Sequence, residues 1–592
     1  MALSLASAVQ LLTRAGLLRE VIAGNHWTLD PGSLTGAERP FVAITYDTRV
    51  VVPGSLLCCK GRFNPAYLDG IDQRGLAAYV AQTPYAERTQ APGIIVTDIR
   101  KAMSLLSAAF YGMPQRELTL VGITGTKGKT TTAYYLQAIL NRLSGNACAL
   151  FSSVDNCLDG TTYEESSLTT PESMDAFRMM REALDHGMRY LVMEVSSQAY
   201  KVDRVFGLTF DVGAFLNISP DHISPIEHPT FEDYLFCKRQ IVRNSRRLVL
   251  NVDCDHADLI GQDATEAHVP VTTFALEAGE QAADWRPRAD VTAIPADPDH
   301  ERFSLVRTGA GTATATQPDS HTVGPFHLAM DGDFNYANAA AAYTLAGLAI
   351  EAHDKHETHE TPTNNHHANV HHANGQHANG QHADATANGG ANAKTATPSP
   401  VRATNPNDSP TVAAIDAALL EDATRVRVSG RMERFEDPSG DIVAIVDYAH
   451  NYSSVGALID FVEGRYGSRH PRISLVAGSA GNKAIDRRKE IIQAAEHRIA
   501  KFFLTIEDTE DESVLAICQY MQRAISDPHV DSVIVDDRAE AIEQAVGEAR
   551  SDGGFNVVLV IGKGDERWIK RAGKHLAYEG DDHVVRRLFG LL

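Results

Sequence analysis

The apolar positions of the chain alternate between short β-rich runs and longer segments with helical spacing. The leucines of residues 3–18 recur at helical spacing and predict an amphipathic first helix. Two β-rich runs follow within residues 41–59, and strand and helix patterns then alternate to residue 117 and again from residue 441 to the last residues. The pattern predicts an α/β protein with a doubly wound sheet in its last part.

The stretch at 118–132, LTLVGITGTKGKTTT, combines a strand pattern with a glycine-rich turn. The apolar run Leu118–Ile123 predicts a buried strand, and the segment AYYLQAIL after the threonines predicts a helix. Glycines let backbone N–H groups surround a phosphate chain, a lysine reaches the terminal phosphates, and the next hydroxyl binds Mg²⁺. Lys129 and Thr130 stand at those positions, which disfavours a turn that merely joins a strand to a helix. We therefore predict a nucleotide-binding loop.

Length, charge and cysteine content limit the class of protein. At 592 residues the chain is too long for one core and predicts three or four domains. A formal net charge of −22 without a basic segment argues against a nucleic-acid-binding protein. The seven cysteines include no C-x-x-C pair and predict reduced thiols, and no apolar run is long enough to cross a membrane. We expect a soluble cytoplasmic protein that binds neither nucleic acid nor a membrane.

Further segments carry candidate chemistry along the chain. A strand pattern at 190–193 ends in Glu194, where a carboxylate beside a phosphate loop can orient Mg²⁺. A second apolar run ends at D-Y-A-H, residues 447–450. Residues 351–410 are rich in His, Asn, Ala, Thr and Gly, include the repeat HANGQHANGQHA, and lack the apolar residues that a core needs. We therefore expect a disordered insert there.

Together these motifs resemble those of the Mur ligase family, whose members use ATP to add amino acids to a peptidoglycan precursor. The glycines stand at 122, 125 and 128 rather than at 123, which gives that family's G-x-x-G-x-x-G-K-T-T loop instead of the general G-x-x-x-x-G-K-[ST] loop. Besides D-Y-A-H, three segments match family motifs: N-I-S-P-D-H at 217–222, G-D-F-N-Y-A-N at 332–338 and G-R-M-E at 430–433.

The resemblance implies an α/β fold of three domains. A central parallel-sheet ATPase domain would carry the phosphate loop, between a smaller N-terminal α/β domain for the uridine nucleotide and a Rossmann-like C-terminal domain for the amino acid. The expected boundaries are 1–117 for the N-terminal domain, 118–350 for the central domain, 351–410 for the insert and 411–592 for the C-terminal domain.

The resemblance also implies roles for individual residues in the use of ATP. The residues implied to be catalytic are Lys129, Glu194, His222 and Lys238. Thr130, Glu194 and His222 would bind Mg²⁺, and Lys238 would be carbamylated to N6-carboxylysine. Two metal ions would neutralise the charges that meet when a carboxylate attacks the γ-phosphate. The residues implied to bind ATP are Gly125, Thr126, Lys127, Gly128, Lys129, Thr130, Thr131, Asn335, Asn338, Arg431, Asp447 and His450.

The nucleotide-sugar substrate has its own implied contacts. The segment VAITYDTRVVVPGSLL resembles the Y-D-S-R…V-x-P-G stretch of the family branch that adds the third residue of the stem peptide. It implies that Thr48 and Arg49 hold the uridine end of UDP-MurNAc-dipeptide; on their own these residues indicate only a polar turn. Val202 replaces a glutamine that the family often has two residues before its substrate arginine. The resemblance also implies that the sugar-peptide and its diphosphate are bound by Thr169, Thr170, Ser196 and Arg204.

The identity of the added amino acid depends on residues 507–512. Family members that add meso-diaminopimelate carry D-N-P-R, whose arginine binds the distal carboxylate of the substrate. Here LTIEDTEDES places Asp508 at the aspartate and Asp511 at the arginine, and this inverted charge favours a cationic side chain such as lysine or ornithine. Gly562 and Glu566 come from a segment that resembles G-K-G-H-E, with aspartate in place of histidine. A merely solvated acidic loop, with meso-diaminopimelate or another Mur-like substrate, remains the alternative.

The expected function is ATP-dependent amide-bond formation through an acyl phosphate, with ATP and Mg²⁺ as cofactors. The expected partners are UDP-MurNAc-dipeptide and a free amino acid, bound by a monomer. Three alternatives remain open: a folate polyglutamate synthetase, an amidotransferase-associated Mur-like protein and a non-catalytic paralogue. The uridine-type N-terminal domain argues against the first, and Asp447 with the full-length N-terminal domain argues against the second. The third is disfavoured by intact Lys129, Glu194, His222 and Lys238.

Overall fold

A computed structural model describes the chain at residues 2–24, 26–221, 223–224, 227–277, 288–296, 301–308, 320–359, 412–482 and 485–592. Within these residues the strands form three large sheets and one two-stranded hairpin. The three sheets correspond in order to the N-terminal, central and C-terminal parts of the chain, so the predicted α/β fold with several parallel-rich sheets is confirmed.

The N-terminal sheet has the strand order β2-β1-β6-β5-β4-β3, and its last four strands in that order are parallel. The predicted amphipathic first helix is confirmed: Ser4 caps it, and Leu5, Val9 and Leu12 are buried on one face. The strands are β1 Leu18–Ala23, β2 His26–Thr28, β3 Ala43–Thr45, β4 Ser55–Cys58, β5 Ala78–Ala81 and β6 Gly93–Val96, and the helices are α1 Leu5–Arg14 and α2 Ile99–Phe110.

The central sheet has eleven strands in the order β10-β9-β8-β11-β7-β12-β13-β14-β15-β16-β17. Its strands are β7 Thr119–Thr124, β8 Cys148–Phe151, β9 Asp155–Cys157, β10 Tyr163–Glu165, β11 Tyr190–Glu194, β12 Val212–Phe215, β13 Leu248–Asn251, β14 Val271–Leu276, β15 Val291–Pro295, β16 Phe303–Thr308 and β17 Ser320–Phe326. Its helices are α3 Lys129–Ser144, α4 Ser173–Asp185, α5 Ser197–Lys201, α6 Phe231–Arg243, α7 Ala257–Glu266 and α8 Asp333–His359.

Strand β7 lies in the middle of this sheet, parallel to β11 on one side and to β12 on the other. All six of its residues are buried, as the apolar run predicted. Because parallel strands present their carboxyl ends at the same edge, the loop after β7 lies beside Glu194 at the end of β11. The predicted order of strand, phosphate loop and helix is confirmed.

Helix α8 continues into the segment that was expected to be disordered, so the expected start of the insert at residue 351 is wrong. Side-chain contacts hold this end of the helix on the central sheet: His353 Nδ1 lies 3.2 Å from Thr119 Oγ1, and His356 Nε2 lies 3.0 Å from Asp211 Oδ1. The rest of the expected insert lies outside the described residues.

Residues after the insert pack first with the central domain. Helix α9, Val412–Glu421, contacts α3 and α8, and its Ile415 and Leu419 belong to the same apolar core as those helices. Val428 joins that core as well. We therefore propose that the C-terminal domain begins near residue 430 and that 412–428 complete the central domain.

The C-terminal sheet has the order β18-β19-β23-β20-β21-β22, with only β18 antiparallel to its neighbour. This is the doubly wound arrangement predicted from the sequence. Its strands are β18 Glu433–Glu436, β19 Ile442–Asp447, β20 Arg472–Ala477, β21 Lys501–Leu504, β22 Asp531–Ile534 and β23 Asn556–Ile561, followed by a hairpin of β24 Trp568–Arg571 and β25 Lys574–Ala577. Its helices are α10 Tyr452–Tyr466, α11 Arg487–Ala495, α12 Val514–Ala524, α13 Arg538–Asp552 and α14 Asp581–Phe589.

Two expectations from composition concern the whole chain. All seven cysteines are free thiols, and six of them are buried, which agrees with the predicted absence of a disulfide framework. Among the described helices, none combines the length and the apolar character that crossing a membrane requires.

Candidate active site

A cavity of about 1230 Å³ lies between the central and C-terminal domains. The phosphate loop and the end of β11 form one wall, and the D-Y-A-H turn and the loops after β21 and β23 form the opposite wall. The sequence-predicted residues that line this cavity are Thr126, Lys127, Gly128, Lys129, Thr130, Thr131, Thr169, Glu194, Ser196, Arg204, Lys238, Asn335, Asn338, Arg431, Asp447, His450, Asp508, Gly562 and Glu566.

The phosphate loop is folded around the side chain of Lys129. The Lys129 ammonium donates to the carbonyl oxygens of Gly125 at 2.9 Å and Thr126 at 3.2 Å, and burial lowers its pKa. These carbonyls hold the ammonium at the loop, where an anion such as a terminal phosphate would be attracted to it. Gly128 has a φ of +80°, and a Cβ there would collide with the amide of Asn338.

Two asparagines of α8 support the loop from behind. The Asn338 amide donates to Asn335 Oδ1 at 3.0 Å, and Thr132 donates to Asn338 Oδ1 at 3.3 Å. The Asn335 amide donates to the carbonyl of Asp331 at 2.7 Å. The two asparagines therefore lie together on one helix face at the cavity, as their three-residue spacing predicted.

Glu194 offers an oxygen that fits a metal ion. The side chain is 1% exposed, and its Oε1 accepts from the Ser153 backbone at 2.8 Å and from the Ser153 hydroxyl at 3.2 Å. Its Oε2 is buried and has no hydrogen-bond partner among the described residues. The Thr130 hydroxyl lies 2.9 Å from the same Ser153 hydroxyl. Because a buried carboxylate oxygen needs a partner, Thr130 and Glu194 fit a hard cation such as Mg²⁺.

Lys238 lies under the phosphate loop, whereas His222 is outside the described residues. The side chain of Lys238 is 2% exposed, and its ammonium donates to the Gly125 carbonyl at 2.7 Å. Burial, followed by repulsion from Lys129, lowers the pKa of Lys238 well below its ordinary value. The low pKa makes the uncharged amine accessible, and only that form can react with carbon dioxide to give a carbamate.

Asp221 joins the central domain to the C-terminal domain. Its Oδ1 accepts from Arg487 Nε at 3.1 Å, its Oδ2 accepts from the Asn451 amide at 3.2 Å, and the ammonium of Lys127 lies 3.7 Å from Oδ2. Burial alone would raise the pKa of Asp221, but Lys127, His450 and Arg487 together hold it well below its ordinary value. Sequence reasoning missed Arg487, because no local motif marks a residue whose partner is 266 positions away.

Some residues of the D-Y-A-H turn stabilise the turn itself, and others face the phosphate loop. Asp447 accepts from the backbone N–H of Met432 at 2.8 Å and of Ala449 at 2.7 Å, so its carboxylate folds the turn. The guanidinium of Arg431 lies 4.2 Å from the centre of the Tyr448 ring. His450 Nε2 lies 3.2 Å from the Lys127 ammonium, and burial lowers the pKa of His450 to about 3. This turn therefore brings a neutral imidazole against the phosphate loop.

A network of side chains surrounds Arg204, which lines the same cavity. Arg204 Nε donates to Glu172 Oε1 at 3.0 Å, and its Nη1 donates to the Thr170 carbonyl at 3.3 Å. The Thr170 hydroxyl donates to the Glu194 carbonyl at 2.9 Å and accepts from the Ser196 N–H at 3.0 Å. Glu172 stands two residues after Thr170 in the T-T-P-E segment, so its position was available from the sequence but was not recognised.

Thr48 and Arg49 do not line the cavity. Arg49 is exposed and pairs with Asp47 Oδ2 at 2.7 Å, and Arg74 donates to the carbonyls of Thr48 at 2.9 Å and Arg49 at 3.0 Å. They form a polar turn of the N-terminal domain, and their role in binding uridine stays a prediction.

The acidic loop at 507–512 is largely neutralised by basic groups from distant parts of the sequence. Asp508 accepts from the Lys563 ammonium at 2.9 Å, and Glu510 accepts from the Lys570 ammonium at 2.7 Å. Lys563 also pairs with Glu566, whose Oε1 accepts from the Tyr448 hydroxyl at 2.9 Å. The pairing leaves less net negative charge at the loop than its sequence suggests.

Two members of the loop differ in where they face. Asp511 is exposed and does not line the cavity, so the structure does not bring it to the site. Glu507 is buried against the cavity next to Gly562, and burial raises its pKa. No described side chain forms an ion pair or hydrogen bond with the Glu507 carboxylate. Glu507 belongs to the acidic cluster seen in the sequence, but spacing alone selected Asp508 and Asp511 as the site residues and did not single out Glu507.

Comparisons with known proteins identify the family to which the chain is similar. The Mur ligase middle domain matches residues 123–346, and the Mur ligase glutamate ligase domain matches residues 430–564. The UDP-N-acetylmuramyl-tripeptide synthetase of Bifidobacterium longum is 54% identical over 595 residues, covering 100% of both chains. The UDP-N-acetylmuramoyl-L-alanyl-D-glutamate--L-lysine ligase of Enterococcus faecalis is 36% identical over 584 residues, covering 98% of both chains.

Solved structures share the fold at low sequence identity. A UDP-N-acetylmuramoyl-L-alanyl-D-glutamate--2,6-diaminopimelate ligase aligns with a TM-score of 0.55 at 18% identity, covering 99% of this chain and 98% of that chain. MurF from Acinetobacter baumannii aligns with a TM-score of 0.53 at 15% identity, covering 93% and 94% of the two chains. With the full-length relatives and the two matching domains, these findings show that the chain belongs to the Mur ligase family of ATP-dependent ligases of peptidoglycan precursor synthesis.

Proposed function

We propose that this protein adds the third amino acid of the stem peptide to UDP-MurNAc-L-Ala-D-Glu, using ATP and an acyl-phosphate intermediate. The proposal rests on the cavity between the two domains. A phosphate loop, a buried carboxylate with an unpaired oxygen and a substrate-type arginine face an acidic wall of the C-terminal domain there. The relatives from Bifidobacterium longum and Enterococcus faecalis, whose names describe this addition, support it.

In the first half of the reaction the substrate carboxylate attacks the γ-phosphate of ATP. The loop amides and Lys129 hold the phosphate chain, and α8 with Asn335 and Asn338 keeps the loop in place. Magnesium held by Thr130 and Glu194 would supply positive charge to the phosphates. Ser196 and Arg204 lie at the same cavity, where they can orient the nucleotide-sugar peptide.

In the second half the amine of the incoming amino acid displaces phosphate from the acyl carbon. An acyl phosphate is hydrolysed by water, so the cavity must be closed while it exists. The contacts of Asp221 with Arg487 and Asn451 hold the C-terminal domain against the phosphate loop. These polar contacts would stabilise the closed arrangement of the two domains.

The incoming amino acid is proposed to be L-lysine or another cationic diamino acid. Glu507 would accept the distal ammonium, because it is a buried carboxylate that faces the cavity while Asp508 and Glu510 are paired with lysines. The lysine ligase of Enterococcus faecalis is consistent with this choice. Meso-diaminopimelate is the alternative, and its distal carboxylate would meet Glu507 with the same sign of charge.

The remaining features are proposed by the same reasoning. Thr48 and Arg49 of the N-terminal domain would bind the uridine end once the substrate is present. His222 would bind a second Mg²⁺, and Lys238 would carry a carbamate. The protein would act as a monomer in the cytoplasm, where ATP and the nucleotide-linked precursor meet.

Phosphate release with product mass analysis tests the proposal. The purified chain is mixed with ATP, Mg²⁺ and UDP-MurNAc-L-Ala-D-Glu, and lysine, ornithine or meso-diaminopimelate is added in separate reactions. We expect phosphate release to require all components and the product to gain the mass of one amino acid. Omission of each substrate, and folate with glutamate as an alternative pair, serve as controls. No amino-acid-dependent release, or release only with folate and glutamate, would contradict the ligase proposal.

A further inference from the structure

A chain of three hydrogen-bonded side chains lies beside the cavity and has no part in the mechanism above. His228 Nδ1 lies 2.6 Å from Asp233 Oδ2, and His228 Nε2 lies 2.9 Å from the Ser197 hydroxyl. His228 is 0% exposed and Ser197 is 3% exposed. Ser197 is the member of the three that lines the cavity. Serine, imidazole and carboxylate therefore form a hydrogen-bonded row that begins at the cavity wall.

The two hydrogen bonds fix the protonation of the imidazole. A carboxylate can only accept, so His228 Nδ1 carries the proton that it donates to Asp233. In the neutral ring Nε2 is then an acceptor, and the Ser197 hydroxyl donates to it. This leaves the lone pairs of the Ser197 oxygen for a donor in the cavity. The imidazole of His228 is therefore positioned to act as a base that accepts the hydroxyl proton of Ser197.

The relay lies next to the phosphate loop. The ring of Tyr234 packs against the His228 ring with centroids 5.2 Å apart, and the Tyr234 hydroxyl lies 3.1 Å from Thr126 Oγ1 in the loop. The ammonium of Lys238 lies 4.9 Å from the centre of the same Tyr234 ring. Ser197 directly follows Ser196, a candidate substrate contact. The relay thus opens where the acyl phosphate would form.

The charged and titratable groups around His228 come from three segments. Asp233 also accepts from the Lys201 ammonium at 2.5 Å, so one carboxylate serves both His228 and a cation of α5. These groups are Lys201 on α5, Asp233, Tyr234 and Cys237 on α6, and Glu227 in the preceding loop. The carboxylate at Nδ1 stabilises the imidazolium that forms when Nε2 receives a proton.

We propose that Ser197 and His228 form a proton relay that deprotonates the ammonium of the incoming amino acid, with Asp233 orienting the imidazole. The proposal deepens the proposed ligase function and rests on it. The amine must be uncharged to attack, because a protonated amine has no lone pair. Lys129 and Lys238 at the loop have lowered pKa values and are therefore weak bases, whereas the Ser197 hydroxyl is hydrogen-bonded to an imidazole that can take its proton.

The step balances in protons and electrons. One ammonium proton passes to the Ser197 oxygen while the Ser197 proton passes to His228 Nε2. The nitrogen lone pair forms the bond to the acyl carbon, and the bond between that carbon and the phosphate oxygen breaks with its electrons on phosphate. The second proton of the nitrogen leaves with phosphate, and His228 returns its proton to solvent.

The same cluster could instead hold a metal ion, since ligand atoms of His228, Asp233 and Cys237 lie within 4.8 Å of one another. A metal on Nδ1 would replace the proton shared with Asp233 and would remove the base. A metal site predicts a bound metal ion in the purified protein, whereas a proton relay predicts none at this cluster.

Hydroxylamine separates a proton relay from a structural role. It is already uncharged at neutral pH and attacks an acyl phosphate to give a hydroxamate, so it does not need a base. With lysine, we expect His228→Gln and Ser197→Ala to lower kcat by about 100-fold, the scale of general-base catalysis. With hydroxylamine, both variants should stay within about twofold of the unchanged protein. His186→Gln, an exposed histidine of the same domain, is the matched control.

The pH profile gives a second readout. For the unchanged protein kcat with lysine should rise with pH as His228 becomes neutral, and this acid limb should be absent from His228→Gln. Equal losses with lysine and hydroxylamine, no loss in either variant, or a stoichiometric transition metal lost in His228→Gln would overturn the relay. If the unchanged protein makes neither amide nor hydroxamate, the proposed ligase function fails and the relay fails with it.

Discussion

The two walls of the cavity carry opposite charges and hold them in different ways. At the phosphate loop the cations are buried together: Lys129 and Lys238 both donate to the Gly125 carbonyl, and Lys127 lies near Asp221. At the acidic loop the carboxylates are paired one by one with lysines from the segment after β23. The cationic wall therefore keeps an excess of charge for a ligand, whereas Glu507 is the residue of the acidic loop that lines the cavity without a described ion pair.

The difference shows that the number of charged residues in a loop does not give the charge of a site. Five acidic residues at 507–512 suggest a strongly negative pocket, but Lys563, Lys570 and Arg488 pair with three of them. At the phosphate loop the opposite holds, because burial lowers the pKa of the lysines and only an anionic ligand makes their charge favourable.

Removing the ammonium of Lys129 should have the largest effect and tests the cationic wall. In Lys129→Met the phosphate chain loses the cation that the loop carbonyls hold in place, and we expect phosphate release to fall by about 1,000-fold or more. The measurement is amino-acid-dependent phosphate release at saturating ATP. Far-UV circular dichroism and a thermal melt check that the fold is kept. Activity within tenfold of the unchanged protein would show that the loop lysine does not stabilise the reaction.

The close approach of Gly128 to Asn338 tests how rigid the cationic wall is. Gly128→Ala would place a Cβ against the Asn338 amide in a left-handed conformation that costs about 1–2 kcal/mol. We expect KM for ATP to rise by roughly tenfold, with a smaller change in KM for the amino acid. Gly145→Ala, a glycine at the end of α3 with open space around it, is the control for a left-handed alanine without a clash. Equal effects of both substitutions would mean that the contact with Asn338 is unimportant.

Lys127 gives the cationic wall a pH dependence. Burial lowers the pKa of Lys127 to about 8, so in the free protein its charge is present below that pH and lost above it. We expect kcat/KM for ATP to fall by about fivefold between roughly pH 8 and 9. Lys127→Arg should remove this part of the decline, because a guanidinium keeps its proton. An unchanged decline in Lys127→Arg would assign it to another group.

Sequence patterns predicted the cationic wall well, since its parts are local. Strand β7, the glycines and Lys129 stand within one short stretch, and a strand ending in Glu194 is recognisable on its own. The unpaired Oε2 of Glu194, however, depends on Ser153, which comes from a different strand end. A pattern of residues gives the presence of a carboxylate but not the direction in which its second oxygen points.

The acidic wall could not be predicted in the same way. Asp508 and Asp511 were chosen by their spacing, yet Lys563 neutralises the first and the second faces away from the cavity. The partners lie more than fifty residues away and approach only when β23 and the hairpin of β24 and β25 fold beside β21. The net charge of this loop depends on tertiary contacts and therefore cannot be predicted from the sequence of the loop alone.

The measurement that tests the central claim most directly compares Glu507→Gln with Asp511→Asn. We measure kcat/KM for lysine and for meso-diaminopimelate with each variant and with the unchanged protein. If the Glu507 carboxylate binds the distal ammonium, Glu507→Gln lowers kcat/KM for lysine by about 30-fold or more. It also reduces the preference for lysine over meso-diaminopimelate. Asp511→Asn changes neither value by more than about twofold. Unchanged lysine kinetics in Glu507→Gln, or a larger loss in Asp511→Asn, would contradict this account of the acidic wall.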